Sequence, residues 1–424
     1  MEKLLKFIAE HSTDDVSRLI LDRKRYPETD IDLAVNCIES RRKLKGKIPE
    51  WHDNPNLIFP LKLSAEQCSS SATGRYKSEV AQRIATGSPD CAPDVSEEGA
   101  RASWTVADLT GGLGADSWFF SQKASKVIYN EMQNILCEAA KHNFKTLGAE
   151  NISISNHIAG ADTIGDILTE KVDLIYMDPA RRGEGGRKVF LIEDCTPDVL
   201  TLKDVLFKYA RHILIKLSPM ADITMVCERL GNTCREIHAV AAGGECKELL
   251  VWMDREYDDR PFIHAVELHP DGPASIFTFK TEEESRTTAH IRNIAGEAYL
   301  FEPGKAMMKT GAFNLISSRF NISKLGKSTH YYLTDSEETA EELKKYGKVF
   351  AIIESCPLEK RSIKEMGKKY PKAEVTARNI PMDTDTLRKK LGITSGDDAH
   401  IFGLRSDKNG NMLFICKNIP KSIR

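Results

Sequence analysis

The sequence predicts an α/β chain: a doubly wound parallel sheet at its centre, a helical region before it and small α+β domains after it. Three observations carry this expectation. Between Trp104 and Met253, apolar runs of strand length alternate with amphipathic runs of helix length, the pattern of parallel strands joined by crossover helices. A glycine-rich loop follows the first of those strands and opens a helix. Both flanks lose the alternation, the first to helical periodicity and the last to short strands mixed with helices.

Taken in order, residues 1–60 read as helical. Leu4, Leu5, Ile8 and Ala9 share one face, and Ser12 and Thr29 each stand three residues before an aspartate, as N-terminal caps do. The third helix runs into RRKLKGKIPEW, where Gly46 and Pro49 stop it. A helix is expected over 71–84, then a loop over 85–103 that is rich in Gly, Pro, Ser and acids, read as mobile. The core, 61–255, then shows TVADLT, KVIYNE, ISISNH, VDLIYMDP and HILIKLSP as strands, and REIHAVAA with ELLVWM as a closing antiparallel hairpin. Residues 256–330 connect to a last region, 331–424, whose final hairpin turns at Asn409-Gly410.

At 424 residues the chain exceeds one ordinary domain. Its net charge of -2 announces no polyanion partner, so any nucleic-acid contact has to come from local basic patches. The ten cysteines form no CxxC pair and are expected to be reduced thiols, with no metal centre. The N-terminus lacks a signal-peptide pattern and no run of 18 apolar residues occurs, so a cytoplasmic chain without a membrane span is expected.

The chemistry gathers at strand ends. In Asp108-Leu109-Thr110-Gly111-Gly112-Leu113-Gly114, glycines permit a tight turn and close backbone approach to a ligand. A dinucleotide loop would carry a third glycine where Ser117 stands. Asp108 suits an amino-acid ammonium instead. Glu131 ends the second strand, where a carboxylate accepts from ribose hydroxyls or simply meets solvent. Asp162 follows the third strand, placed for an adenine amino group or a helix cap. Asp178-Pro179-Ala180-Arg181-Arg182 ends the fourth.

On these residues the chain resembles the class I S-adenosylmethionine-dependent methyltransferases, with their Rossmann-like core. More narrowly it resembles a Bacteroidetes-type group of methyltransferases with a C-terminal THUMP-like domain, through EQCSSSATGRYKSEV, DLTGGLGADSWFF, MDPARR, LIKLSPMADI, GGECKELL, LFEPGKAMMKTGAFNLIS and RNIPMDTDTLRKKLGITSGDDAHIFGLR. The resemblance spans residues 66 to about 405. It implies S-adenosylmethionine as cofactor, held by Asp108, Thr110, Gly111, Gly112, Gly114, Glu131, Asp162 and Asp178. It also implies that the segment before the first strand folds over the cofactor, so that Thr73, Tyr76 or Lys77 lines the site, unless that helix merely packs on the sheet. A ferredoxin-like piece within 256–330 and a THUMP-like domain over 331–424 are implied too. THUMP domains elsewhere help bind structured RNA, which makes an rRNA or tRNA base the expected acceptor, with a protein or small molecule as the alternative.

Methyl transfer from a sulfonium is an in-line displacement, so orientation of the acceptor dominates. Asp178 is expected to meet an acceptor N–H, with Arg181 beside it. The DPAR sequence lacks the aromatic of the DPPY pattern used on exocyclic amines, and is closer to the DPPR-type motif. Cys195 and Cys246 are expected to be inert. Lys216 either lines the acceptor pocket or pairs with a neighbouring acid. Arg181, Arg182, Arg187 and Lys188 form one candidate phosphate-binding loop. The run Arg41, Arg42, Lys43, Lys45, Lys47 is a second basic patch or an exposed helix end.

Overall fold

The computed structural model describes residues 2–87, 103–181, 192–270 and 272–419. Most of the expected loop at 85–103 and the arginines at 182 and 187 lie outside them. The chain forms two compact units, one comprising residues up to Ile237 with Glu248–Pro261, the other His238–Lys247 with everything from Phe262 on.

The first unit begins with helices α1 (Glu2–Glu10), α2 (Val16–Leu21), α3 (Ile31–Leu44), α4 (Pro49–His52), α5 (Lys62–Gln67) and α6 (Ser71–Thr86). The caps of α2 and α3 are Asp15 and Asp30, whose carboxylates accept from Ser17 N and Leu33 N. The expected caps Ser12 and Thr29 stand too early, because each precedes a second side chain able to do the same work. Phe7, Ile8, Leu19, Ala34, Cys37 and Ile38 bury the apolar faces against one another.

The basic run at the end of α3 is structural. Arg41 is buried and donates to the carbonyls of His52 at 3.1 Å, Asn54 at 2.5 Å, Pro55 at 3.4 Å and Leu57 at 2.8 Å. Arg42 donates to the Ser12 and Asp14 carbonyls, and Lys47 to those of Ala65 and Glu66. Lys43 pairs with Glu66. Arg41, Arg42 and Lys47 thus satisfy carbonyls in loops and in α4 and α5.

The sheet follows: β1 (Thr105–Asp108), α7 (Ala115–Ser121), β2 (Lys126–Asn130), α8 (Asn134–Thr146), β3 (Ile152–Ser155), α9 (Ile164–Ile167), β4 (Leu174–Met177), β5 (Ala180–Arg181), β6 (Cys195–Thr196), α10 (Val199–Tyr209), β7 (His212–Leu217), α11 (Ile223–Leu230), β8 (Cys234–Ala242) and β9 (Glu245–Asp254). Its order within this unit is β3-β2-β1-β4-β7-β9. The first five are parallel neighbours, and β9 runs antiparallel to β7, as the closing hairpin required. The chain winds outward from β1 in one direction and from β4 in the other. The reversal leaves a crevice at the carboxyl ends of these two strands.

In the second unit β10 (Phe262–Leu268) and β11 (Ser275–Lys280) form an antiparallel pair followed by α12 (Thr281–Arg286). Then come β12 (Tyr299–Pro303), α13 (Lys305–Thr310), α14 (Phe313–Arg319), β13 (Ser323–Lys324), β14 (Tyr332–Thr334), α15 (Glu337–Leu343), β15 (Gly347–Pro357), α16 (Lys360–Lys369), β16 (Lys372–Arg378), α17 (Thr384–Leu391), β17 (Thr394–Ser406) and β18 (Gly410–Asn418). The strands order as β13-β14-β12-β15-β18-β17-β16, antiparallel except β16 with β17. Ala399 and Ile401 enter one apolar cluster while Phe402 and Leu404 enter another. That switch marks a sheet covered on both faces. The β17–β18 turn closes with Ser406 opposite Gly410 at φ +73°, as the Asn-Gly pair predicted.

Among the described residues no helix is long and apolar enough to cross a membrane, and no disulfide joins the nine cysteines.

Candidate active site

A cleft of about 230 Å³ opens at the crevice between β1 and β4. Asp108, Thr110, Gly111, Gly112, Glu131 and Asp178 all line it. They come from the ends of three strands, so the hydrophobic runs that set those strands also bring these residues together.

The loop after β1 is braced from below. A Cβ on Gly111 would meet the Tyr129 ring at 2.2 Å, and the Tyr129 hydroxyl donates to Gly112 O at 2.7 Å. Glu131 accepts from Gly112 N at 2.9 Å and from Gln133 N at 2.8 Å, one bond on each oxygen. Gly114 does not line the cleft. It stands at the start of α7 with φ +91°, where a Cβ would lie 2.7 Å from Phe144. Its role is packing and turn geometry.

Asp108 is 1% exposed and takes Ser117 Oγ at 2.6 Å and Thr110 N at 3.1 Å. The residue that breaks the dinucleotide pattern thus holds the acid. Burial pushes the Asp108 carboxyl up to about 7, with Ser117 partly opposing and Asp116 adding to the rise. Thr110 ties the loop to the fourth strand, its Oγ1 accepting from Asp178 N at 2.6 Å.

Beneath the cleft lies a buried ionic cluster that sequence reasoning missed. Lys77 is fully buried, with its ammonium 2.5 Å from Ser69 Oγ, 3.0 Å from Glu248 and 3.2 Å from Asp116. Asp116 also accepts from Tyr176 Oη at 2.8 Å and Ser69 Oγ at 3.0 Å. Burial opposes its charge, but the ammoniums of Lys77 and Lys216 hold its carboxyl below the ordinary value. Glu248 is pushed up by burial, against the pull of the same two lysines. Lys216 is ion-paired with Asp178. Burial works against its charge, yet Asp178, Glu248 and Asp116 raise its ammonium above the ordinary lysine value.

Several expected site residues therefore lie elsewhere. Thr73, Tyr76 and Lys77 are buried and do not line the cleft. Thr73 is part of the capping box of α6, its Oγ1 accepting from Ser70 N. The segment before β1 does reach the cleft, but through Gln67, Cys68 and Ser69. Asp162 is exposed, outside the cleft, in the turn that Thr163 fastens to Gly160 N at 3.0 Å. Lys216 pairs with an acid instead of lining the pocket. The backbone of Arg181 lies in β5, paired with Cys195; its side chain, like Arg182, Arg187 and Lys188, is outside the description. Met132 and Ile158 were missed: both line the cleft while 60% and 65% exposed. The available signal was that Met132 directly follows Glu131 and that Ile158 stands three residues past the end of β3.

An open sheet with a glycine loop and acids at its switch point defines a methyltransferase-type α/β fold, and comparison with known proteins agrees. A candidate methyltransferase from Porphyromonas gingivalis W83 has the same fold over 99% of this chain and 98% of its own, with 28% identity and a TM-score of 0.83. Residues 347–418 match the THUMP domain-like family and residues 299–339 a ferredoxin-like domain family. This chain thus combines a methyltransferase-fold core with C-terminal ferredoxin-like and THUMP-like domains. More distant matches include a candidate methyltransferase from Streptococcus mutans in complex with SAH (15% identity, 36% of this chain and 88% of that one, TM-score 0.27). Another is an rRNA methylase from Streptococcus thermophilus (14% identity, 36% and 86%, TM-score 0.28). No curated protein matches the sequence significantly.

Proposed function

We propose that the protein is an S-adenosylmethionine-dependent methyltransferase acting on a base of RNA. The observation that carries the cofactor reading is the lining of the cleft: four carboxyls, and no lysine or arginine among the described residues. Such a lining disfavours a pyrophosphate and favours a cationic ligand. Asp108 at the glycine loop suits an ammonium. Each Glu131 oxygen retains a lone pair beyond its backbone bond, enough for two ribose hydroxyls. Met132, Ile158 and Leu136 offer apolar contact to a purine. Bound there, the cofactor would supply a methyl group on an electrophilic sulfonium.

The chain's own task is then to orient the acceptor and exclude water. Lys216 pins the Asp178 carboxylate at the end of β4, so that it can accept from an acceptor N–H without swinging away. The grip on an RNA backbone is proposed for basic residues of the C-terminal region. Exposed Lys360, Arg361, Lys364, Lys368 and Lys369 on α16, with Lys389 and Lys390 on α17, are suited to it. The THUMP-like match over 347–418 includes both helices. In this reading residues 61–255 are the catalytic core and 331–424 the RNA-presenting region, in a cytoplasmic enzyme.

Calorimetric titration with S-adenosylmethionine, S-adenosylhomocysteine and NAD tests the cofactor. Micromolar binding of the two adenosyl ligands, lost in Asp108→Ala and Glu131→Ala, is expected. Binding of NAD alone would move the chain to the nicotinamide enzymes. Transfer of tritiated methyl to total RNA, compared with protein and metabolite fractions, tests the acceptor.

A further inference from the structure

Two buried asparagines of the first unit make the same pair of bonds. Asn143 on α8 accepts from Ile58 N at 2.8 Å and donates to Ile58 O at 2.7 Å. Asn130, the last residue of β2, accepts from His157 N at 3.1 Å and donates to His157 O at 3.0 Å. Each side-chain amide thus pairs with the backbone of one loop residue, as a neighbouring strand would. The two loops differ in position. Ile58 is not part of the cleft lining, whereas His157, Ile158 and Ala159 are.

Asn130 also reaches the glycine loop. Its Nδ2 donates to Leu109 O at 3.1 Å, and its own carbonyl accepts from Gly111 N at 2.7 Å. The backbone ladders of β2 end with Tyr129 opposite Asp108 on one side and Asn130 opposite Ser155 on the other. Past those rungs, this one residue joins the loop after β1 to the loop after β3. It is fully buried and does not line the cleft. Asparagine suits the place because one short arm carries two donors and an acceptor, where aspartate would turn a second acceptor oxygen towards two carbonyls.

We propose that Asn130 is a positioning residue: without touching the ligand, it sets the spacing between the glycine loop and the loop carrying Ile158, and through that spacing the affinity of the cleft for an adenosyl group. The proposal rests on the cofactor reading above and deepens it. A gap of about 1 Å forfeits roughly half of a dispersion contact, so a small drift of either loop loosens the apolar hold on the purine.

The test is calorimetry of the full chain with S-adenosylhomocysteine, at a temperature where melting curves show each variant folded. Asn130→Asp is expected to bind at least about ten-fold more weakly than the unaltered protein, since its carboxylate faces the Leu109 and His157 carbonyls. Asn130→Ala is expected to fall between the two, because water can enter the freed space and meet those carbonyls. Asn143→Asp and Asn143→Ala, which break the matching pair at Ile58, are expected to lower the melting temperature and leave affinity within about two-fold. Hydrogen–deuterium exchange should show residues 156–160 exchanging faster in Asn130→Ala than in the unaltered protein. Weaker binding by Asn130→Ala than by Asn130→Asp overturns the proposal, since it means that the side chain only fills space. So does unchanged affinity in both Asn130 variants, or an equal loss in the Asn143 variants. Should Asn130→Asp fail to fold, Asn130→Ala against Asn143→Ala decides. Each of these outcomes leaves the cofactor reading standing. Failure of the folded, unaltered chain to bind any adenosyl ligand removes that reading, and the proposal with it.

Discussion

At the end of α3, Arg41, Arg42 and Lys47 reach backbone carbonyls and Lys43 reaches Glu66. On α16, Lys360, Arg361, Lys364 and Lys368 stand in solvent, and only Lys369 has an ion pair among the described residues, with Glu354. The two runs look alike in sequence. One holds the fold and the other is free to meet a partner, and what separates them is whether polar groups from distant segments arrive. A cation's function is therefore set by its surroundings, and substitution exposes the difference.

The largest effect is expected at Lys77. Lys77→Met takes from buried Asp116 and Glu248 the ammonium they both touch, which should cost about 3–5 kcal/mol and be read as a large drop in the denaturant midpoint. Arg41→Ala should cost about 3 kcal/mol, since several buried carbonyls lose their donor together. If Arg41→Ala were neutral, the contrast between the two basic runs would fail.

Asp108 gives an effect of opposite sign. A carboxyl raised to about 7 disfavours the folded state as it ionises, so its destabilising contribution grows as pH rises from its ordinary value through about 7. Asp108→Asn should therefore raise the melting temperature at pH 8, with the gain vanishing towards about pH 4. The same variant should lose adenosyl-ligand binding, and the unaltered protein should bind more weakly as pH falls below about 7. A lower melting temperature for Asp108→Asn at pH 8 would contradict this account. The smallest effect on stability is expected on α16: Lys364→Glu with Lys368→Glu should stay within about 0.5 kcal/mol of the unaltered protein. In the RNA reading this pair weakens RNA binding and flattens its salt dependence. Unchanged binding in a filter assay would separate α16 from the RNA.

The parts legible in sequence were those fixed locally. Strand runs place Asp108, Glu131 and Asp178 at one end of a parallel sheet whatever surrounds them, and the glycine loop follows from its turn. The rest depended on partners that sequence does not rank, some distant and some close by. At Lys77 the choice between the cofactor site and a helix packed on the sheet stays open in sequence, because nothing near it requires its burial. Its partner Glu248 lies 171 residues away. Asp162 reads equally as an adenine contact or a helix cap; Thr163, the next residue, fastens the turn and leaves Asp162 in solvent. The caps slipped because Ser12 and Thr29 each precede an aspartate that does the same work better placed.

The brace under the glycine loop has a consequence of its own. Tyr129 fixes Gly112 O, Glu131 fixes Gly112 N, and Gly111 rests on the Tyr129 ring. The loop therefore loses its conformational freedom when the chain folds and not when a ligand arrives. A ligand entering the cleft meets a finished surface, so its association should be limited by encounter and its residence time should carry nearly all the variation in affinity among analogues.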